Sequence, residues 1–249
     1  MSRRINIFGS YSGAAWSPSD LTNLWIWLDA NDETTITKDG SDFVSSWIDK
    51  SLNSFNFIQS IPANQPTFTA STIGDKPALY GPNNSTELHI LGKSSVDLSP
   101  YFFIGLVISY NDATTQVFVS DDRYTNNNLP GAGLFIYVTA SGMFRMFIND
   151  VLVIDYQITI SNDYIIGISA EQNGANNVDY HLHLNGVIVY STINIPKSNL
   201  LLRDLQLFRL GINASANEYL AELITTSASI TSEDIFNVNT YLNTKYGIY

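Results

Sequence analysis

Cysteine is absent from all 249 residues. That excludes disulfides, thiolate metal sites and a cysteine nucleophile, and it is compatible with any compartment. Positive charge is scarce: 12 Lys plus Arg stand against 23 Asp plus Glu, a net charge of −11. Such a chain repels a phosphate backbone, so nucleic acid is not an expected partner. Long apolar runs are missing, and none approaches the roughly 18 residues of a membrane span. The opening "MSRRINIFGSYSGAAW" has a basic start but not the continuous apolar stretch of a secretory signal. The expectation is a product made in a cytoplasm, with no membrane partner. Charge of either sign is also low, 14% of residues, whereas hydrophobic residues reach 45% and aromatics 12%. Asn, Ser and Thr must therefore carry the surface, a composition that suits strands and turns better than exposed helices.

Short apolar runs recur between Gly, Asn, Asp, Ser and Pro, among them "FVSSWID", "YFFIGLVISY", "GLFIYVT", "MFRMFIN", "VLVIDY", "YIIGISA" and "LQLFRLG". Many short strands with regular turn signals predict an all-β sandwich or barrel. No break in composition marks a second domain. In "DYHLHLNGVIVYS", Asn185-Gly186 suits a two-residue hairpin turn, since both residues tolerate positive φ. That register sets Leu184 against Val187 and Leu182 against Val189 on a core face. It sets His183 against Ile188 and His181 against Tyr190 on the other. Asn149-Asp150 predicts a second hairpin. Only the C-terminus reads as helix: Thr231 caps it with Asp234, Ile235, Val238 and Leu242 form a stripe, and Gly247 stops it.

Several pieces together carry a resemblance: "LWIWLDANDETTI", "VSSWIDKSLNSFNFIQ", "NQPTF", "KPALYG", "HLHLNGVIVYS" and "AELITTSASITSEDIFNVNTYLNTKYGI". In this order they resemble the concanavalin A-like, laminin-G-like jelly-roll domains, in particular versions found in bacteriophage virion proteins and bacterial surface proteins. The resemblance implies a two-sheet antiparallel jelly-roll sandwich with one short C-terminal α-helix, over residues 16–249. Residues 1–15 fall outside it and look like an added, anchoring arm. It also implies that Trp25, Trp27 and Asp29 are structural, because "WLDA" matches the family's opening strand and corner.

Related endoglucanases carry Glu-x-Asp-x-x-Glu on one strand, which places two acids on one face. None of Glu33, Glu87, Glu171, Glu218, Glu222 and Glu233 begins that pattern, so no catalytic residue is assigned. Calcium is the conceivable cofactor: Asp29, Asn31 and Asp32, or Asp121 and Asp122, offer hard oxygen ligands. Solvated turns use the same residues and are the expected reading. His181 and His183 share a strand face but lack an evident third metal ligand. Together with Tyr190 they read as a half-polar face, solvated or pressed against a partner. Arg3 and Arg4, with Ile5, Ile7 and Phe8, are the arm's candidate contacts. Sugar binding without cleavage needs aromatics and amides on loops. Tyr124, Asn126, Asn127 and Asn128 supply them in one loop, and Asn173, Asn176 and Asn177 supply amides in another.

The leading expectation is a non-enzymatic bacteriophage virion protein of capsid, neck or tail, contacting other virion proteins and copies of itself. The alternative is a glycan-binding adhesin or receptor-binding protein directed at a host surface glycan. A polysaccharide-degrading enzyme with an unorthodox carboxylate pair is the third.

Overall fold

The computed structural model describes residues 15–81, 88–90, 96–110, 115–121, 133–160, 162–198, 200–202, 205–208 and 218–249. Six strands come first: β1 (Leu24–Asp29), β2 (Ile36–Lys38), β3 (Val44–Trp47), β4 (Phe57–Ile58), β5 (Thr67–Ile73) and β6 (Lys76–Gly81). Next are β7 (Leu88–Ile90), β8 (Val96–Leu98), β9 (Phe102–Tyr110), β10 (Gln116–Asp121), β11 (Leu134–Val138), β12 (Met143–Ile148) and β13 (Val151–Gln157). The last are β14 (Asn162–Asn173), β15 (Asn177–Leu184), β16 (Val187–Pro196), β17 (Leu200–Leu202), β18 (Leu205–Leu207) and β19 (Glu218–Thr226), followed by helix α1 (Ser232–Tyr246).

All pairings among the described residues are antiparallel; apart from a two-stranded β8–β17 ladder they gather into two large sheets. One is eight-stranded, in the order β16-β15-β14-β9-β19-β6-β5, with β1 also on β19. The other has nine strands, β13-β12-β11-β10-β18-β7-β4-β3-β2. The expected all-β sandwich with a C-terminal helix is therefore the observed architecture. Period-2 patterning explains the second sheet's register: in β11 and β12, Leu134, Ile136, Val138, Phe144, Met146 and Ile148 are buried while their neighbours are half-buried. By contrast, all nine residues of β9 are buried. Phe102, Ile104, Leu106 and Ile108 enter the inter-sheet core, and Phe103 and Val107 join a second cluster with Ile235, Val238, Leu242 and Tyr246 of α1. A strand covered on both faces has no polar side to show.

Helix α1 ends as its residues predict. Thr231 accepts from the Asp234 amide (3.1 Å) in a full capping box, and Gly247 closes it in the left-handed region (φ 62°). Its C-terminal turn is pressed onto the β5–β6 turn, where Gly74 has φ 55°. A Cβ on Gly74 would stand 1.8 Å from the Tyr246 carbonyl oxygen. Gly74→Ala is expected to cost more than about 1 kcal/mol, from backbone strain and a displaced helix end. Urea unfolding checks this, and an unchanged midpoint would mean the close approach is absent in solution.

Both predicted hairpins form. Asn149 and Asp150 take φ of 47° and 66° between paired Ile148 and Val151. The Asn185-Gly186 hairpin keeps Leu184 against Val187 and His183 against Ile188, but then the register shifts. Leu182 faces Tyr190 and His181 faces Ser191, which corrects two expected pairs. The cause is a bulge at Val189: the extra residue lets both Val189 and Tyr190 pack on the inter-sheet core, with the Tyr190 ring 6.3 Å from Tyr156. Tyr190 thus does not share the outer face with His181 and His183.

Candidate functional site

The corner after β1 is built around an acid that lysines from two distant segments neutralise. Asp29, only 4% exposed, takes the Lys50 ammonium on Oδ2 (3.0 Å) and the Lys245 ammonium on Oδ1 (2.5 Å). Lys50 also reaches Asp32 (2.9 Å) and lies 4.2 Å from the centre of the Trp27 ring. Lys245 reaches Glu222 on β19 (2.8 Å). The fully buried Glu222 carboxylate further accepts from Trp27 Nε1 (2.9 Å), the Tyr241 hydroxyl (3.1 Å) and the Tyr246 hydroxyl (3.0 Å). Beside this cluster Asp49 accepts from the Trp27 amide (2.8 Å) and holds the Lys50 turn. The segments "WLDA", "WIDKS", "AELI" and "TKYG" each contribute one or more members, and they clasp β1, β19 and α1 together.

Three carboxylates share two ammonium groups here, and burial sets how they titrate. Burial pushes the Glu222 carboxyl above its ordinary range, with Lys245 pulling against it. Burial works against the Lys50 ammonium, yet Asp32 and Asp29 hold it above the usual lysine value. The Thr34 hydroxyl and Lys50 hold Asp32 below the usual carboxylate range. Burial and Glu222 raise the hydroxyls of Tyr241 and Tyr246, so both remain donors.

Above the cluster opens a cleft of about 590 Å³, within the span of ordinary small-molecule sites. Its aromatic corner is Trp16 against Tyr241, with ring centroids 6.1 Å apart at 64°. Asn31 lines one side, and Asn237, Thr240 and Thr244 project from α1 on the other. Asp29 and Lys245 form the floor. Apolar ring surface, amide groups, hydroxyls and a paired charge thus face one concavity.

Asp29 and Asp32, the conceivable calcium ligands, hold the Lys50 ammonium between them, and Asp29 is buried where a solvated turn residue was expected. Asn31 belongs to the cleft, and Asp121 is a buried residue of β10 in the opposite sheet. Among the described residues no three His, Asp or Glu side chains group as metal ligands. Asn173 spends its amide on Asp179 (3.0 Å) and Asn194 (3.1 Å), Asn176 accepts from the Lys197 amide (2.7 Å) through its carbonyl, and Asn177 pairs with Pro196. These three therefore shape the β14–β15 turn. Arg3, Arg4, Ile5, Ile7, Phe8, Asp122, Tyr124, Asn126, Asn127 and Asn128 lie outside the described residues. Trp16 and the α1 side chains of the cleft were missed in the sequence.

His181 bonds Ser191 Oγ (2.7 Å), whereas His183 is 5% exposed and contacts Ser169 Oγ (3.2 Å). Burial, and then the His181 charge, push the His183 imidazole below its ordinary 6.5, against a weaker pull upward from Glu171. A base with a depressed folded-state value stabilises the fold above 6.5 and loses that contribution as pH falls below it. Urea midpoints are expected to drop between pH 7.5 and pH 5 by more in the wild type than in His183→Gln. Equal drops would contradict a buried neutral imidazole.

No protein-family model and no curated protein matches the chain. Solved structures do. The binding domain of Paraclostridial Mosquitocidal Protein 1 superposes with TM-score 0.64 at 16% identity, over 91% of this chain and 54% of that one. The ligand-binding domain of botulinum neurotoxin serotype D, in complex with N-acetylneuraminic acid, gives 0.60 at 11%, over 88% and 51%. Trypanosoma rangeli sialidase gives 0.53 at 8%, over 90% and 33%. The likeness is one of fold. The chain spans about half the length of the two binding domains, and its sandwich is of the same jelly-roll-like kind.

Proposed function

We propose that the chain is a non-catalytic receptor-binding module and that the cleft over the Asp29–Lys245 pair holds a saccharide unit. The observation that carries this reading is the cleft itself. The Trp16 and Tyr241 rings offer apolar surface to the C–H face of a sugar, while Asn31, Asn237, Thr240 and Thr244 offer donors and acceptors to its hydroxyls. Two of the structural neighbours are binding domains, one of them solved with a sugar acid, and this supports the same direction.

The carboxylates argue against cleavage. A glycosidase needs one acid free to give a proton and another free to attack or to activate water. Asp29 and Glu222 instead share the Lys245 ammonium, and Glu222 lies fully buried beneath it. Neither has an oxygen to spare for a glycosidic bond.

A glycan array probed with the full chain tests the reading, and at least one saccharide class is expected to be retained. Incubation with that saccharide is expected to release no reducing ends. Absence of any retained glycan would sink the proposal, and release of reducing ends would replace it with an enzyme. Carriage on a phage particle, expected from the virion resemblance, would be the module's address, and cosedimentation with particles tests it.

A further inference from the structure

Helix α1 is the ridge between two concavities. On the flank away from Trp16, between the helix and the β15–β16 turn, lies a second one of about 540 Å³, and Thr240 and Thr244 line both. The two openings thus meet over the helix crest. From Ile235 to Thr244 no residue is charged, and Asn or Thr fills five of these ten positions. Both are poorer helix formers than the Glu, Lys, Gln or Ala that exposed helix positions normally carry. Two of the five have structural duties. Asn239 donates to the Ile235 carbonyl (2.8 Å), and Asn243 donates to the Tyr249 carbonyl (2.6 Å) and accepts from the Ile248 and Tyr249 amides (3.0 and 2.9 Å). Among the described residues, the side chains of Asn237, Thr240 and Thr244 have no protein partner. Their spacing, i, i+3 and i+7, sets them in one row about 10 Å long on the outer face. Packing, capping and helix propensity account for none of the three.

Each side of this row has an aromatic wall. Trp16 and Tyr241 stand on the first side, and on the second Phe236 is 68% exposed and Tyr249 53%. Rings on both flanks, with uncharged hydroxyl and amide groups between them, repeat across the helix the combination that suits a sugar in the first cleft. We infer that the ligand is a neutral oligosaccharide that crosses α1, one unit lying against Trp16 and Tyr241 and a later unit against Phe236. A helix with its side chains is about 10–12 Å across, so one sugar cannot touch both walls and a chain of them can. Charge narrows the class further. Glu171 brings a carboxylate to the second concavity, no Lys or Arg among the described residues lining it offsets that charge, and the whole chain carries −11, all of which disfavours acidic sugars. This inference rests on the saccharide reading of the first cleft and adds the length and charge of what binds there.

The probes are cello-, malto- and chito-oligosaccharides, each printed on an array from one to six units and then titrated calorimetrically into the full chain. For a ladder that is retained, the hexasaccharide is expected to bind at least tenfold tighter than the disaccharide. Phe236→Ala is expected to weaken the hexasaccharide at least fivefold and the disaccharide less than twofold, whereas Trp16→Ala weakens both. Phe236 is exposed, so its variant probes the second wall without threatening the fold, and Phe236→Tyr is expected to keep the gain with length. Equal affinity for two and six units would overturn the crossing and leave the single-unit reading of the cleft standing. A gain with length that Phe236→Ala does not touch would overturn it too, as would failure of all three ladders beside retention of other glycans. Retention of no glycan at all would remove both readings.

Discussion

Glu222→Ala is expected to lower the free energy of unfolding by about 3–5 kcal/mol, the scale on which breaking a buried ion pair from one side acts. The residue is fully buried and accepts from Lys245, Trp27, Tyr241 and Tyr246. Its loss leaves a buried ammonium with one carboxylate fewer and orphans an indole N–H and two hydroxyls. Against a total stability of about 5–15 kcal/mol, such a variant is close to unfolding at body temperature. The double variant Glu222→Met with Lys245→Met is expected to recover much of the loss, because apolar replacement of both partners removes the uncompensated charge. Denaturant midpoints of the two variants check this. A single variant within about 1 kcal/mol of wild type would mean the cluster is not what fastens α1 to the sheet.

Trp16→Ala is expected to weaken binding of the array-selected saccharide at least tenfold, or about 1.4 kcal/mol or more. Aromatic anchors carry a disproportionate share of binding energy, and Trp16 supplies the ring wall that α1 alone cannot. Its partner Tyr241 is less suited to the experiment, since its hydroxyl also serves Glu222. Isothermal titration at constant salt reads the change, and urea unfolding of the same variant separates lost binding from lost folding.

What was legible in the sequence was local. The Asn149-Asp150 turn and the Thr231 and Gly247 caps follow from residues whose own backbone and side-chain chemistry dictate the geometry. Strand existence followed from alternation. The β15–β16 register beyond His183 did not, because its bulge is set by Tyr190 packing on Tyr156 across the sandwich. Asp29 was ambiguous for a related reason. A carboxylate in a turn reads alike whether it meets calcium, a substrate or lysine, and its two lysines stand 21 and 216 residues away. The cleft was invisible because it unites residue 16, the corner at 29–31 and helix positions 237–245. The four telling segments did each carry a member of the buried cluster, so the resemblance had marked the clasp beneath the site without revealing the site.

Mapping the bound saccharide on the full chain decides whether this concavity is a sugar site. ¹H–¹⁵N spectra recorded during titration with the best array ligand are predicted to move the Trp16 indole and the amides of Asn31, Asn237, Thr240 and Thr244 together, with one affinity. Saturable shifts confined to another surface, with these groups unmoved, would contradict the assignment.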